Sequence, residues 1–291
     1  VAQATSVERA GGWVRETIDI GDPAGGHLAA LAFGPRERPL DALVLHANGF
    51  NALTYRTLLE PLAADLRLLA YDHRGHGRTT LPADPEGRRD WTDIAADLVA
   101  VLDRTGGPPV TLVGHSMGGT SALLAADLRP ARVRNLVLLD PVILPPEPRP
   151  GGHSALAEGA LRRRATFASR GAALASYRGR GAFRTWPDAV LADYVADGFR
   201  DGPEGVTLAC TGAWEASNYR AQGHDARGAL RRLSRPALIL RAGQGSTCHL
   251  TEGPSAAVTV ETVPGTTHFL PFEAPERVRA AIREAAGGPR S

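Results

Sequence analysis

Two short stretches of this chain carry side chains that can together break an acyl bond. Val113-Gly114-His115-Ser116-Met117-Gly118-Gly119 sets a serine in a G-x-S-x-G pattern, between an apolar run that reads as a strand and a run that reads as a helix. Glycine on either side lets the backbone turn sharply and lifts the hydroxyl above the sheet at the start of a helix. There the first amides and the positive helix end favour negative charge on a bound carbonyl oxygen. A serine hydroxyl is a poor nucleophile at neutral pH without a base. In this strand-turn-helix setting the base follows late in the chain, and Val263-Pro264-Gly265-Thr266-Thr267-His268-Phe269 offers His268 in a loop after the last strand-like run. The plain alternative is a chance match in a chain with 33 glycines; the flanking strand and helix argue against it.

The other histidines have simpler readings. His46, His73, His76 and His115 sit at strand ends or turns, where imidazoles commonly bond backbone, and His27, His153, His224 and His249 read as surface or lid residues. The two cysteines, Cys210 and Cys248, have no metal-like spacing and make no disulfide framework. Every basic residue is arginine, which excludes Schiff-base chemistry and a lysine nucleophile. No metal and no cofactor are expected.

A net charge of +2 gives no nucleic-acid footprint, and the run Arg162 to Arg164 reads as a solvated helix face. No apolar run approaches the ~20 residues of a membrane span. Val1 to Gly12 is polar and lacks a secretory core, so a cytoplasmic location is expected; the chain begins with valine, which leaves open the removal of a segment. The expected partner is a small molecule, and no oligomeric state is assigned.

The elements that must position Ser116 and His268 are legible as an alternation. Val14–Ile20, His27–Phe33, Ala42–His46, Leu66–Asp72, Val110–Val113, Leu136–Asp140, Ala237–Ala242 and Val258–Val263 read as strands, and Thr54–Ala64, Trp91–Thr105, Met117–Leu128 and Pro275–Ala285 as helices. With 291 residues and 43% hydrophobic content, this predicts one large α/β unit, a mostly parallel sheet of eight strands covered by helices. After Asp140 the prolines Pro141, Pro145, Pro146, Pro148 and Pro150 break the rhythm, and a helix-like, aromatic-rich segment follows to about Gly228. The expected division is a core of residues 1–140 and 229–291 with a helical cap of residues 141–228 inserted after the sixth strand.

Nearly the whole chain resembles the α/β-hydrolase superfamily, in particular its cap-bearing esterase and haloalkane-dehalogenase-like branches. The matching pieces are His46-Ala47-Asn48-Gly49-Phe50, Tyr71-Asp72-His73-Arg74-Gly75-His76-Gly77, the Ser116 turn and Gly265 to His268. The resemblance implies that the backbone amides of Asn48 and Met117 form an oxyanion hole, although the family's usual His-Gly is His-Ala here. It also implies an acid for His268. The family's common place for it, around Gln244 to Cys248, holds no carboxylate, and a second family arrangement points to Asp140 at the end of the sixth strand, with Glu252 in reserve. Asp72 falls in the family's structural turn.

Ser116 where dehalogenases carry an aspartate, and Met117 where they carry a tryptophan, turn the expectation away from halide cleavage even though Asn48 matches their halide-site asparagine. The resemblance implies a serine carboxylesterase, and the aromatic and aliphatic residues of the cap segment imply an apolar cleft for a small or medium hydrophobic ester or lactone; Phe50, His115, Trp186 and Trp214 are nominated to face the substrate, with packing against the sheet the plainer reading of any single cap aromatic. The same residues in related proteins support carbon–carbon bond hydrolysis or cofactor-free perhydrolysis of the haloperoxidase kind. A hydrolase-fold protein that binds a ligand with little turnover is a third reading.

Overall fold

Ala42-Leu43-Val44-Leu45 and Val110–His115 are buried along their whole length, as strands covered on both faces must be. The computed structural model describes residues 9–10, 12–146 and 154–287; residues 1–8, Pro148, Pro150 and His153 lie outside them. The chain opens with β1 (Arg9–Ala10), β2 (Trp13–Ile18), β3 (Leu28–Phe33), β4 (Ala42–Leu45), α1 (Arg56–Leu59), β5 (Leu68–Tyr71), α2 (Thr92–Thr105), β6 (Val110–His115), α3 (Met117–Leu128) and β7 (Val133–Leu139). An insertion follows with α4 (Ala155–Arg162), β8 (Thr166–Phe167), α5 (Arg170–Tyr177), α6 (Asp188–Asp197), β9 (Phe199–Gly202), β10 (Gly205–Leu208), α7 (Gly212–Arg220) and α8 (Ala226–Arg232). The chain closes with β11 (Ala237–Ala242), β12 (Val258–Val263), α9 (Leu270–Glu273) and α10 (Pro275–Gly287).

The main sheet runs β1-β2-β3-β5-β4-β6-β7-β11-β12. From β5 to β12 all neighbours are parallel, and β2 and β3 form the antiparallel edge. These are the eight expected strands, with the two-residue β1 added beside β2. Alternate residues feed two cores. Val44, Val113, Val137 and Leu139 meet α1 and α10, whereas Leu43, Leu45, Leu112 and Leu138 meet α2, α3 and α8. The order puts β4, β6 and β7 side by side, so the loops that leave their carboxyl ends share one edge of the sheet.

Two departures from the sequence reading have local causes. The helix expected over 54–64 is a curl of 3-10, α and 3-10 turns from Ala52 to Leu62. Pro61 cannot bond the carbonyl of Thr57, and Arg279 takes the carbonyls of Thr57 and Leu58 instead, at 2.9 and 3.1 Å. The insertion is mostly helical but also holds a sheet in the order β8-β10-β9, whose strands of two to four residues are too short to show a period in sequence. Helix α8 packs beside α3, with Ala226, Ala229 and Leu230 in the same core.

Candidate active site

Ser116 joins β6 directly to α3 with φ 54° and ψ −119°, a conformation that L-residues rarely adopt and that costs ~1–3 kcal/mol. Close packing around it enforces the turn. A Cβ on Gly114 would lie 2.4 Å from the Gly118 carbonyl oxygen, and a Cβ on Gly118 would lie 2.5 Å from that of Leu45. Both obstacles are backbone, so Gly118→Ala is expected to lower stability by roughly 2–3 kcal/mol, read as a shift of the urea midpoint at constant slope. The Ser116 amide donates to the Leu139 carbonyl at 2.9 Å, which ties the turn to the end of β7. Ser116 is 7% exposed, so the hydroxyl sits in a nearly closed site.

Asp140 follows β7 at once, with φ 42°. Its Oδ2 meets His268 Nδ1 at 2.6 Å and accepts from the Thr247 amide at 3.1 Å; its Oδ1 accepts from the Ala242 amide at 2.9 Å and the Ser246 hydroxyl at 2.5 Å. Burial works against charge on this carboxyl, but the His268 bond and charge, the Ser246 hydroxyl and the Ala242 amide prevail and hold its pKa at about 2. An ionised carboxylate only accepts, so the His268 proton lies on Nδ1 and the lone pair is left on Nε2. Among the described residues neither His268 Nε2 nor the Ser116 hydroxyl is engaged in a hydrogen bond. Ser246 and Thr247 stand in the loop where no carboxylate was found, and their polar groups anchor the acid of the neighbouring strand. Glu252 is exposed and makes no contact with His268.

His268 itself is set by two further contacts. Its carbonyl accepts from His115 Nε2 at 2.7 Å, and its loop is braced by Glu273 of α9, which takes the Thr267 amide at 2.6 Å and the Thr267 hydroxyl at 2.9 Å. Because His115 donates through Nε2, its Nδ1 accepts from the Tyr55 hydroxyl at 2.6 Å, and the Tyr55 oxygen in turn accepts the Ala47 amide at 3.2 Å. This relay links the His46–Phe50 loop, the Ser116 turn and the His268 loop. The His115 ring is fully buried, and both of its nitrogens are spent on protein. Burial, then the neighbouring His268, pushes its pKa down to about 3, so it stays neutral.

Three more imidazoles, His46, His73 and His76, pack on one another at the start of the His46–Phe50 loop. His46 donates through Nδ1 to the Ala47 carbonyl and accepts the His73 amide, at 2.7 and 2.9 Å; His76 donates to the Arg74 carbonyl and accepts the Gly49 amide, at 2.9 and 3.0 Å. No hydrogen bond within the described residues uses the Asn48 or Met117 amide. Asp72 accepts the amides of Ala52 and Arg78 at 2.7 and 2.8 Å and serves the turn. His224 stacks on Trp91 with ring centres 4.5 Å apart.

Of the aromatic nominations, Phe50 and Trp186 meet with ring centres 5.0 Å apart, and Phe50 lies 6.0 Å from His115. Trp214 belongs to a separate buried cluster with Met117, Trp91 and Cys210, under the Arg88 guanidinium at 4.1 Å. Phe269 and Phe272, overlooked in sequence because they belong to the closing element, complete the aromatic wall with Trp186 at 5.6 and 4.8 Å. Among the described residues no group of three or more His, Cys, Asp or Glu is placed to hold a metal ion, and no helix is long and apolar enough to cross a membrane.

A family model described as the alpha/beta hydrolase family matches residues 42–281. The chain is 26% identical over 280 residues to the 2-(acetamidomethylene)succinate hydrolase of Mesorhizobium japonicum, covering 93% of this chain and 94% of that one. It is 42% identical over 107 residues to the putative carbamate hydrolase RutD of Variovorax paradoxus, a stretch covering 37% of this chain and 40% of RutD. A 2-hydroxymuconate semialdehyde hydrolase of Pseudomonas sp. is 38% identical over 33% of this chain and 35% of its own. Several curated relatives are thus matched over less than half their length. A crystal structure of E-2-(acetamidomethylene)succinate hydrolase superposes with a TM-score of 0.77 at 24% identity, covering 95% of this chain and 100% of that one.

Proposed function

This chain belongs to the alpha/beta hydrolase family, and from that premise we propose that it is a serine hydrolase that cleaves a carboxylic ester or lactone through an acyl-enzyme at Ser116. The observation that carries the reading is the 2.6 Å contact of His268 Nδ1 with Asp140, beside a serine held at φ 54°. Asp140 fixes the tautomer that leaves Nε2 free, Nε2 takes the Ser116 proton, and the hydroxyl oxygen attacks the carbonyl carbon. The negative oxygen that forms is received by the amides of Asn48 and Met117, at ~3–4 kcal/mol per donor. The proton then passes from Nε2 to the leaving alkoxide. Water, activated by the same nitrogen, releases the acid.

Residues 141–228 act as a cap over this site, on a core of residues 1–140 and 229–291. Phe50 and Trp186 offer the acyl or alcohol group an apolar wall, and Trp214 backs it from beside Met117, so a small or medium hydrophobic substrate fits best. The test is a panel of p-nitrophenyl esters beside a vinylogous diketone and a peracid-forming mixture, with wild type and Ser116→Ala. Ester turnover at least a thousandfold above the variant is the expected result. Preferred cleavage of the diketone, or ester turnover that survives Ser116→Ala, contradicts the proposal.

A further inference from the structure

Asn48, whose amide the proposed function places in the oxyanion hole, is one of the points where the insertion grips the core. Its side chain is buried, and both ends are taken by α7: Nδ2 donates to the Glu215 carbonyl at 3.0 Å, and Oδ1 accepts from Asn218 Nδ2 at 2.8 Å. The neighbouring Gly49, at φ 75°, lies so close under α7 that a Cβ would come within 2.7 Å of Glu215 Oε1. Asn218 is fully buried and is pinned from the core side in turn. Arg88, ahead of α2, donates to its Oδ1 and to the Ser217 hydroxyl, the latter at 3.0 Å, while Asp93 of α2 fixes Arg88 at 2.8 Å. The Trp91 indole donates to the Asn218 carbonyl at 3.0 Å.

An arginine only donates, so Asn218 must turn its oxygen to Arg88 and its NH2 to Asn48. Asn48 must then turn its own NH2 to Glu215. Every orientation in the chain Asp93–Arg88–Asn218–Asn48 follows from the one before it, and the links beyond Arg88 are lost when α7 lifts. We propose that Asn218, oriented by Arg88, is a positioning residue that sets the Asn48 peptide for oxyanion binding, so that the hole is complete only while α7 is seated on the core. Seating the insertion and arming the site are then one event, which spares the open form from hydrolysing whatever drifts past. The inference rests on the proposed oxyanion role of the Asn48 amide.

Asn218→Asp tests it. The carboxylate keeps the size of the side chain and its bond to Arg88 but sets oxygen against Asn48 Oδ1; a flipped Asn48 would set oxygen against the Glu215 carbonyl. Expected are a 10- to 100-fold fall in kcat on a p-nitrophenyl ester with KM within threefold, and a parallel rise in the inhibition constant of a trifluoromethyl ketone, whose hemiketal oxygen takes the oxyanion position. Asn48→Ala, which breaks the link from the other side and leaves the amide in place, should lose a similar factor. The double variant should be no worse than either single one. A kcat for Asn218→Asp within twofold of wild type, or losses that multiply in the double variant, overturns the inference. Wild-type turnover that survives Ser116→Ala would instead overturn the function on which it rests, so the two failures are distinguishable.

Discussion

Asp140→Asn is expected to lower kcat by about 10,000-fold, the scale on which a buried imidazole held in the wrong tautomer fails. Four hydrogen-bond donors around the carboxylate explain why no orientation of the amide is harmless. An NH2 at the Oδ1 position faces the Ala242 amide, and one at the Oδ2 position faces the Thr247 amide and His268 Nδ1. In the second case His268 must accept at Nδ1 and carry its proton on Nε2, the atom that takes a proton from Ser116 in the proposed mechanism. Either orientation also leaves buried donors opposed, at ~1–3 kcal/mol. The variant should therefore melt lower and turn over esters almost undetectably. Retention of more than a tenth of wild-type kcat would show that Asp140 does not set the tautomer.

Acid should unfold the protein unusually steeply. Burial first, then neighbouring imidazoles, depresses His46 well below its ordinary value and His73 to about 3; burial depresses His76 and His224 to about 4, and His115 stands at about 3. In the unfolded chain each titrates near ~6.5. Above that value both states are neutral and nothing is lost. Below it the unfolded chain takes up protons that the folded one refuses, and stability falls until the folded pKa is reached. Asp72 opposes this. Burial and the nearby Asp197 raise it to about 7, so the folded state keeps that proton and gains as the pH drops from 7. The net uptake of two to four protons corresponds to roughly 3–5 kcal/mol per pH unit between ~6 and ~4.5, enough to exhaust a typical stability of ~5–15 kcal/mol. Urea midpoints at pH 7, 6, 5.5 and 5 measure the slope. His73→Leu, which removes a ring whose nitrogens have no hydrogen-bond partner among the described residues, should reduce the slope by about one proton; a midpoint that is level from pH 7 to 5 contradicts the prediction.

The central strands β4, β5 and β6 were legible because they are fully buried runs with turns at both ends. Met117–Leu128, Ala237–Ala242 and Val258–Val263 coincide with their sequence ranges. Ser116 and His268 could be singled out because a turn with glycine on both sides and a late loop histidine leave local marks. Asp140 could be placed only by resemblance, since what makes its carboxylate special is contributed from about a hundred residues further on, by Ala242, Ser246, Thr247 and His268. The Tyr55–His115 relay and the Asn48–Asn218 link were invisible for the same reason. They join polar residues of no particular spacing. The short strands of the insertion escaped because two to four residues carry too little period to read.

The most direct measurement is intact-mass and peptide mapping of the protein after treatment with a fluorophosphonate. The account predicts one adduct per chain, on the peptide that contains Ser116, absent in Ser116→Ala and formed at least a hundredfold more slowly in His268→Ala. An unmodified Ser116 in protein that hydrolyses esters, or an adduct that forms as fast without His268, would contradict it.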